Sequence, residues 1–429
     1  MKFYGLILLL GGAVMTVSAK TVHLPLRSFS ADADGRSPRG ITKYQRRETN
    51  ASSGVNVPVT DWFNGTDNQW YTTFSVGTPP QNFTALFDTG SPSFIVGASN
   101  CTTCGDKKLF DPELSSTYVD EPGRFVSYLF STGADSLPFA EPEGATGYEV
   151  QDTISLGDLT VENQTFVLCV TMAEALDVMP IDGIMGMGFP EADSSWYWNL
   201  VDEGQLDSSV YSFYIPAGDI DGGEVTLGGI DDTKYEGDLN WVKLNIESKL
   251  FGSYVVDWVA IYANGQLLNN GTSPTTGAAV AMPTNGLAIL DTGTAFMQTP
   301  DYATAVNLYA QISPNITLID PAGAWGAPCD ELESIAPDLT FTIGTAATAI
   351  NVTIPKASFN LGEYPGLDGI CQALFNNPSD GIGSSWFVGK KAEWLVGSPL
   401  IKQYYTAWDA DNLQVGWGQL VDGPGFTAE

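Results

Sequence analysis

The chain carries the same short pattern twice, and that repetition restricts its fold more than any other feature. Phe87-Asp-Thr-Gly-Ser91 and Leu290-Asp-Thr-Gly-Thr294 each close an apolar run, Ala85-Leu-Phe87 in one copy and Ala288-Ile-Leu290 in the other. About a hundred residues after each comes an apolar-apolar-Gly step, Ile184-Met185-Gly186 and then Leu395-Val396-Gly397. A single Asp-Thr-Gly is an ordinary turn after a strand; two in the same setting indicate one unit present twice. The surrounding signals are short strands. Trp70, Phe74 and Val76 alternate with other residues, Gly77-Thr-Pro-Pro80 makes a turn, and Trp258–Gly265 reads as a later strand and turn. The expected fold class is all-β, with a boundary between the two copies near Asp238–Val242. Two helices are expected. One covers Trp196–Glu203 and stops at Gly204. The other starts at Thr299-Pro300-Asp301, with Thr299 as cap and Tyr302, Val306 and Tyr309/Ala310 on its apolar face.

Composition narrows the chemistry. The only histidine of the 429 residues is His23. If the segment that carries it is removed, no imidazole remains for a Ser-His-Asp triad, a Cys-His dyad or an H-E-x-x-H zinc site. With 18 Lys+Arg against 50 Asp+Glu, a net of −32, the chain lacks the basic footprint of a nucleic-acid binder. Acid–base work therefore falls to carboxylates, Tyr, Lys or Cys. Asp88 and Asp291 each leave an apolar strand, and Gly90 and Gly293 have no Cβ, so the main chain there can approach closely. Two carboxyls brought together cannot both ionise cheaply and share one proton. One can then take a proton from water while the other donates to a carbonyl oxygen. No metal or other cofactor is expected.

The N-terminus differs from the rest. Met1–Ala19 reads as a secretory signal, with Lys2, the apolar run Leu6–Val14 and the small residues Val17-Ser18-Ala19. The apolar run is shorter than the ~20 residues a membrane span needs. Residues 20–47 hold seven cations against Asp32 and Asp34, whereas residues 48–429 hold ten against 48 carboxylates. A basic segment ahead of an acidic body is expected to act as a pro-segment held by charge, with Arg46-Arg47 as a dibasic processing point. Cys101-Thr-Thr-Cys104 reads as a small-loop disulfide in preference to a redox pair. Cys329 and Cys371 would then pair and leave Cys169, in the apolar run Phe166–Val170, as a buried small hydrophobe; composition does not fix this pairing. Eight N-x-S/T sequons occur, at Asn50, Asn64, Asn82, Asn100, Asn163, Asn270, Asn315 and Asn351.

Taken together, Trp70–Asp88 with its D-T-G-S, Asp182-Gly-Ile-Met-Gly-Met-Gly188, Gly223–Ile230, Leu290–Thr294 and Trp394–Gly418 resemble the pepsin-like aspartic endopeptidases, most of all secreted fungal (basidiomycete-type) ones. The resemblance implies a bilobal β fold with a cleft between lobes. The expected division is 1–19 signal, 20–47 pro-segment, 48–240 N-terminal lobe and 241–429 C-terminal lobe. It implies that Asp88 and Asp291 are the catalytic pair, that Thr89 and Thr292 cross-link their loops, and that Ser91 and Thr294 bond the outer carboxylate oxygens. It also implies the disulfides Cys101–Cys104 and Cys329–Cys371. The expected protein is a secreted monomer that cuts internal peptide bonds of polypeptides at acid pH and binds neither nucleic acid nor membrane. Two departures stand out. The family's flap carries a Tyr followed by Gly-rich residues; here Phe125-Val-Ser-Tyr128 makes Tyr128 the candidate, but about ten extra residues intervene before Thr146-Gly147-Tyr148. The Trp that usually bonds the flap Tyr is replaced by Ile95, so Tyr128 is expected to lack its partner and Leu129–Ala145 to overhang the cleft. A binding protein that kept the fold without activity would be expected to have lost one Asp-Thr-Gly. A glycosidase with paired carboxylates would have no use for the repeated loops.

Overall fold

The computed structural model describes residues 29–30, 53–63, 67–120, 123–129, 144–173, 176, 179–190, 195–216, 222–269, 271–272, 279–280, 282, 286–377 and 393–421. Its main elements are sheets. In the first half a nine-stranded sheet has Gln81–Asp88, Gly183–Gly186 and Phe94–Gly97 as consecutive neighbours near its centre. Gly183–Gly186 pairs parallel with Gln81–Asp88, setting Gly186 opposite Asp88, and antiparallel with Phe94–Gly97. The second half repeats this in an eight-stranded sheet. There Glu393–Val396 pairs parallel with Gly286–Leu290 and antiparallel with Met297–Gln298. The apolar-apolar-Gly steps are therefore the strands that lie beside the Asp-Thr-Gly strands in each half. Buried on both faces, such strands read as continuous apolar runs.

A six-stranded sheet joins the halves, in the order Tyr235–Lys243, Gln414–Leu420, Tyr404–Asp409, Val210–Tyr214, Glu224–Ile230 and Ser53–Pro58. The 240/241 division falls inside the first of these strands, and the last two strands of the chain return to the same sheet as its early strand Ser53–Pro58. The fold is all-β and bilobal, with few helices. Phe74 packs its ring against Phe87, Phe94 and Trp196 in the first half, and Trp258 stacks on Trp394 at 4.7 Å in the second.

The first helix runs Trp196–Asp202, with Gly204 at φ +69° after it. That is the left-handed conformation a helix-terminating glycine adopts without strain. The other expected helix is Tyr302–Ile312, and its cap is not Thr299. Asp301 is the cap: its carboxylate accepts from the Thr304 N–H at 2.7 Å, while Thr299 Oγ1 donates to the Asp301 carbonyl. Both are good capping residues, but Asp301 is adjacent to the first helical residue and its carboxylate reaches the third helical N–H. Cys101–Cys104 and Cys329–Cys371 are disulfide-bonded, and Cys169 is free and buried, its thiol pushed up to about 12 by burial. The sequons within the described residues, Asn82, Asn100, Asn163, Asn315 and Asn351, are all exposed; the other three lie outside the described residues. Among the described residues no helix is long and apolar enough to cross a membrane.

Candidate active site

Each Asp-Thr-Gly loop leaves its strand and turns back on itself through its own carboxylate. Asp88 Oδ1 accepts from the Gly90 N–H at 2.8 Å, and Oδ2 accepts from the Ser91 hydroxyl. Asp291 repeats the pattern, with Oδ1 accepting from Gly293 N–H at 2.7 Å and Oδ2 from the Thr294 hydroxyl at 2.7 Å. The turn needs a residue whose amide reaches back two positions and a hydroxyl three positions on, which is what Asp-Thr-Gly-Ser/Thr supplies.

The two threonines hold the loops together. Thr89 N–H donates to Thr292 Oγ1, and Thr292 N–H donates to Thr89 Oγ1, both at 3.0 Å. Each hydroxyl then donates across to the other half, Thr89 Oγ1 to the Leu290 carbonyl at 3.1 Å and Thr292 Oγ1 to the Phe87 carbonyl at 2.7 Å. All four bonds are buried, so losing either hydroxyl would strand amides and carbonyls away from water. The glycines are required by the facing carboxylate. A Cβ on Gly90 would stand 2.6 Å from Asp291 Cγ, and one on Gly293 would stand 2.5 Å from Asp88 Oδ1. Asp88 and Asp291 therefore face one another at the junction of the halves, each only 8% exposed.

Burial, and after it the charge and hydrogen bond of Asp88, hold the Asp291 carboxyl well above the usual carboxylate range, against opposing bonds from Thr294 and Gly293. Taking a charge out of water beside a like charge favours the protonated form. The pair thus holds a proton at pH values where lone carboxyls have lost theirs, and its titration belongs to the pair.

The structure brings Asp88, Thr89, Gly90, Ser91, Asp291, Thr292, Gly293 and Thr294 into one cluster. Tyr128 is on the strand Phe125–Leu129, half-buried, and here the structure corrects an expectation: its hydroxyl is not without a partner. It is 2.9 Å from the Ser93 hydroxyl. Ile95 does replace an indole with an apolar side chain, but Ser93 two residues earlier supplies the missing polar atom. The insertion expected over Leu129–Ala145 lies, at residues 130–143, outside the described residues. Sequence reasoning missed Gln69, whose amide donates to the Gly293 carbonyl at 2.7 Å and which is almost fully buried. The available signal was a polar residue directly before Trp70. It also left Ser398 without a role; its N–H donates to the Thr294 carbonyl at 2.8 Å and bonds the second loop to the short helix Ser398–Ile401 that follows Glu393–Val396. Among the described residues no three His, Cys, Asp or Glu side chains gather as a metal-ligand group.

Comparison with known proteins agrees with this geometry. Residues 69–420 match the family model for eukaryotic aspartyl proteases. The chain is 30% identical to pepsin II-2/3 of Oryctolagus cuniculus over 391 residues, covering 90% of this chain and 88% of that protein. It is 29% identical to pepsin-2B of Gadus morhua over 362 residues, 82% of this chain and 97% of that protein. It is 30% identical to pepsin A of Canis lupus familiaris over 389 residues, 89% and 87% of the two chains. Two mirrored Asp-Thr-Gly loops, a bilobal all-β frame and a family match over most of the length lead to one assignment: the chain belongs to the eukaryotic aspartyl protease family and is an aspartic endopeptidase, a hydrolase of the pepsin-like kind.

Proposed function

We propose that Asp88 and Asp291 are the catalytic pair and hold one water between them for the hydrolysis of internal peptide bonds in polypeptides at acid pH. The ionised member takes a proton from the water as its oxygen bonds to the carbonyl carbon. The protonated member gives its proton to the carbonyl oxygen. Collapse of the tetrahedral species breaks the C–N bond, with a proton passing to the leaving nitrogen, so one water is added and the pair ends with one proton. That two such carboxyls share a proton is an established property of aspartic-protease dyads, not a result obtained from this chain. Thr89 and Thr292 fix the spacing of the loops; Gly90 and Gly293 let each backbone reach the opposite carboxylate; Ser91 and Thr294 orient the outer oxygens. Neither a metal nor a cofactor takes part in this reading.

The observation that carries it is the two-way match of loops, each glycine set against the other loop's aspartate. Asp88→Asn and Asp291→Asn should each lower hydrolysis of an acid-denatured protein by about 100- to 10,000-fold with the fold retained. If either variant kept more than about a tenth of wild-type activity at every pH, the dyad would not be the catalyst.

Further parts of the reading rest on sequence. Residues 1–19 act as a secretory signal and 20–47 as a basic pro-segment that binds the acidic body in a zymogen. Lobes 48–240 and 241–429 follow, and the mature enzyme is an extracellular monomer, glycosylated at some of the sequons. Tyr128 serves as the flap tyrosine. An affinity with secreted fungal, basidiomycete-type enzymes is also proposed, carried by the sequence stretches alone. Mass analysis of the secreted protein tests the first of these; a mature N-terminus upstream of residue 47 would remove the dibasic processing step.

A further inference from the structure

Among the described residues the strand Phe125–Leu129 has a single neighbour, Gly144–Leu156, and forms the edge of the nine-stranded sheet. Backbone pairing ties it to the Asp88 strand only at a remove, through Gly144–Leu156 and then Asp67–Val76. Side chains supply the direct contacts across that gap. Val126, on the same strand, buries itself in a cluster with Leu86, Ile95, Val167 and Ile184. Apolar packing of this kind is non-directional and tolerates a small slide. The polar tie in the same region is directional: Tyr128 OH and Ser93 Oγ, 2.9 Å apart.

Ser93 is itself tightly placed with respect to Asp88. It is 8% exposed, its carbonyl accepts from Gly186 N–H at 3.1 Å, and a Cβ on Gly186 would stand 2.4 Å from its nitrogen. Gly186 is the residue in register with Asp88. Two more bonds close this region: Met187 N–H to the Asp88 carbonyl at 2.6 Å and Gly188 N–H to the Ser91 carbonyl at 2.8 Å. A rigid set of backbone bonds thus runs from Asp88 to Ser93, and one hydroxyl pair continues it to the edge strand.

We infer that Ser93 is a positioning residue for substrate binding: its hydroxyl fixes the Tyr128 phenol, and with it the edge strand, at a set distance from the Asp88 loop. This rests on the reading of Asp88 and Asp291 as the catalytic pair and of Tyr128 as the flap tyrosine. A hydroxyl pair suits the task, because each partner can donate and accept and the bond needs no charge. Ser93 touches no reacting atom, so its removal acts on how well a peptide is held and leaves the chemical step intact.

The test is a cycle of Ser93→Ala, Tyr128→Phe and the double variant. KM and kcat are measured for an octapeptide with hydrophobic residues on both sides of the cut, and Ser93→Thr serves as the conservative control. Each single change should raise KM about fivefold, the size of one lost hydrogen bond, with kcat within about twofold. The double variant should lose no more than either single, and Ser93→Thr should restore most of the affinity. The pH profile of kcat should not move. Losses that add in the double variant, or a Ser93→Ala enzyme with unchanged KM, would overturn the inference, since the two hydroxyls would then act separately or not at all. Repeating the cycle as peptide affinity in the Asp88→Asn background separates the two claims. Turnover retained by Asp88→Asn would count against the dyad, whereas absent coupling in affinity would count against Ser93 whatever the dyad does.

Discussion

Gly90 and Gly293 are the residues at which the site tolerates least change. Each loop needs its main chain within van der Waals reach of the other loop's carboxylate, and a methyl group on Gly90 would overlap the Asp291 carboxyl at 2.6–2.7 Å. Both neighbours are pinned, Asp291 by Gly293 and Thr294 and the loops by the threonine cross-links, so the overlap cannot be relieved by a side-chain rotation. Gly90→Ala should therefore push the carboxyls apart and cost about 100-fold in kcat, the scale of a misplacement near 1 Å. Circular dichroism should remain native, and a variant with wild-type kcat would show that the loop yields more readily than its bonds suggest. The identity of these residues was legible from the duplicated motif. Gln69 and Ser93 were not, because a buried amide and a hydroxyl look like any polar residue in a strand until the partner across space is known.

At the scale of elements, the helix Tyr302–Ile312 shows how a local rule and its tertiary outcome part company. Thr299-Pro300-Asp301 offers two residues able to cap, and the sequence pattern favours the threonine because Pro would follow at the first helical position. The structure uses Asp301, and Thr299 Oγ1 spends its hydrogen on the Asp301 carbonyl. Of the expected face the helix buries Val306 and Tyr309, whose OH donates to the Phe375 carbonyl at 2.7 Å, but Tyr302 is exposed and Ala305 and Leu308 are buried instead, so both the start and part of the face move. Asp301→Ala should lower stability by about 1 kcal/mol, and Asp301→Asn by less, as read from urea midpoints. Thr299→Ala should cost less than Asp301→Ala; the opposite order would restore Thr299 as the cap. Peptide hydrolysis should be unaffected by all three.

The whole molecule is tied together by the six-stranded sheet, and its weak point is a buried carboxyl there. Glu224 stands opposite Pro58 of the strand Ser53–Pro58 and Tyr214 of Val210–Tyr214, with Asp231 and Lys234 beside it. Lys234 Nζ is 3.7 Å from Glu224 Oε2 and also lies over the Tyr214 ring. Asn56 of the early strand donates to Asp231 at 2.8 Å, and Tyr405 accepts from the Asp231 N–H. Burial first, then Asp231, pushes Glu224 up to about 8 from an ordinary 4.5, with Lys234 opposing. A carboxyl raised in the folded state holds its proton there more tightly than in the unfolded chain. Its contribution to stability is complete below pH 4.5 and is lost as pH rises toward about 8. The slope for this one group reaches about 1.4 kcal/mol per pH unit within that window. Glu393, also pushed up to about 8 by burial and by Glu247, adds a change of the same sign. Thermal midpoints should fall from pH 4.5 to pH 7.5, and Glu224→Gln should flatten the fall. Midpoints that rose over this range would contradict the sign.

What the sequence determined by itself was the repeated unit, and with it the β class and the two aspartates. A carboxylate after a buried strand, a glycine two residues on and a hydroxyl three on make a turn that closes locally, and a local turn leaves its mark in adjacent residues. The Cys101–Cys104 pair was legible from its spacing, but the second pair only through resemblance, because Cys329 and Cys371 are 42 residues apart and nothing in that spacing selects them. Tertiary structure alone decided which residue caps the helix Tyr302–Ile312, that Ser93 takes the place Ile95 left vacant, and that one sheet draws strands from both ends of the chain. The cap is settled within three residues, but the other two are contacts between segments distant in sequence. Their energies depend on where the strands pack, and no local pattern of residue types records that.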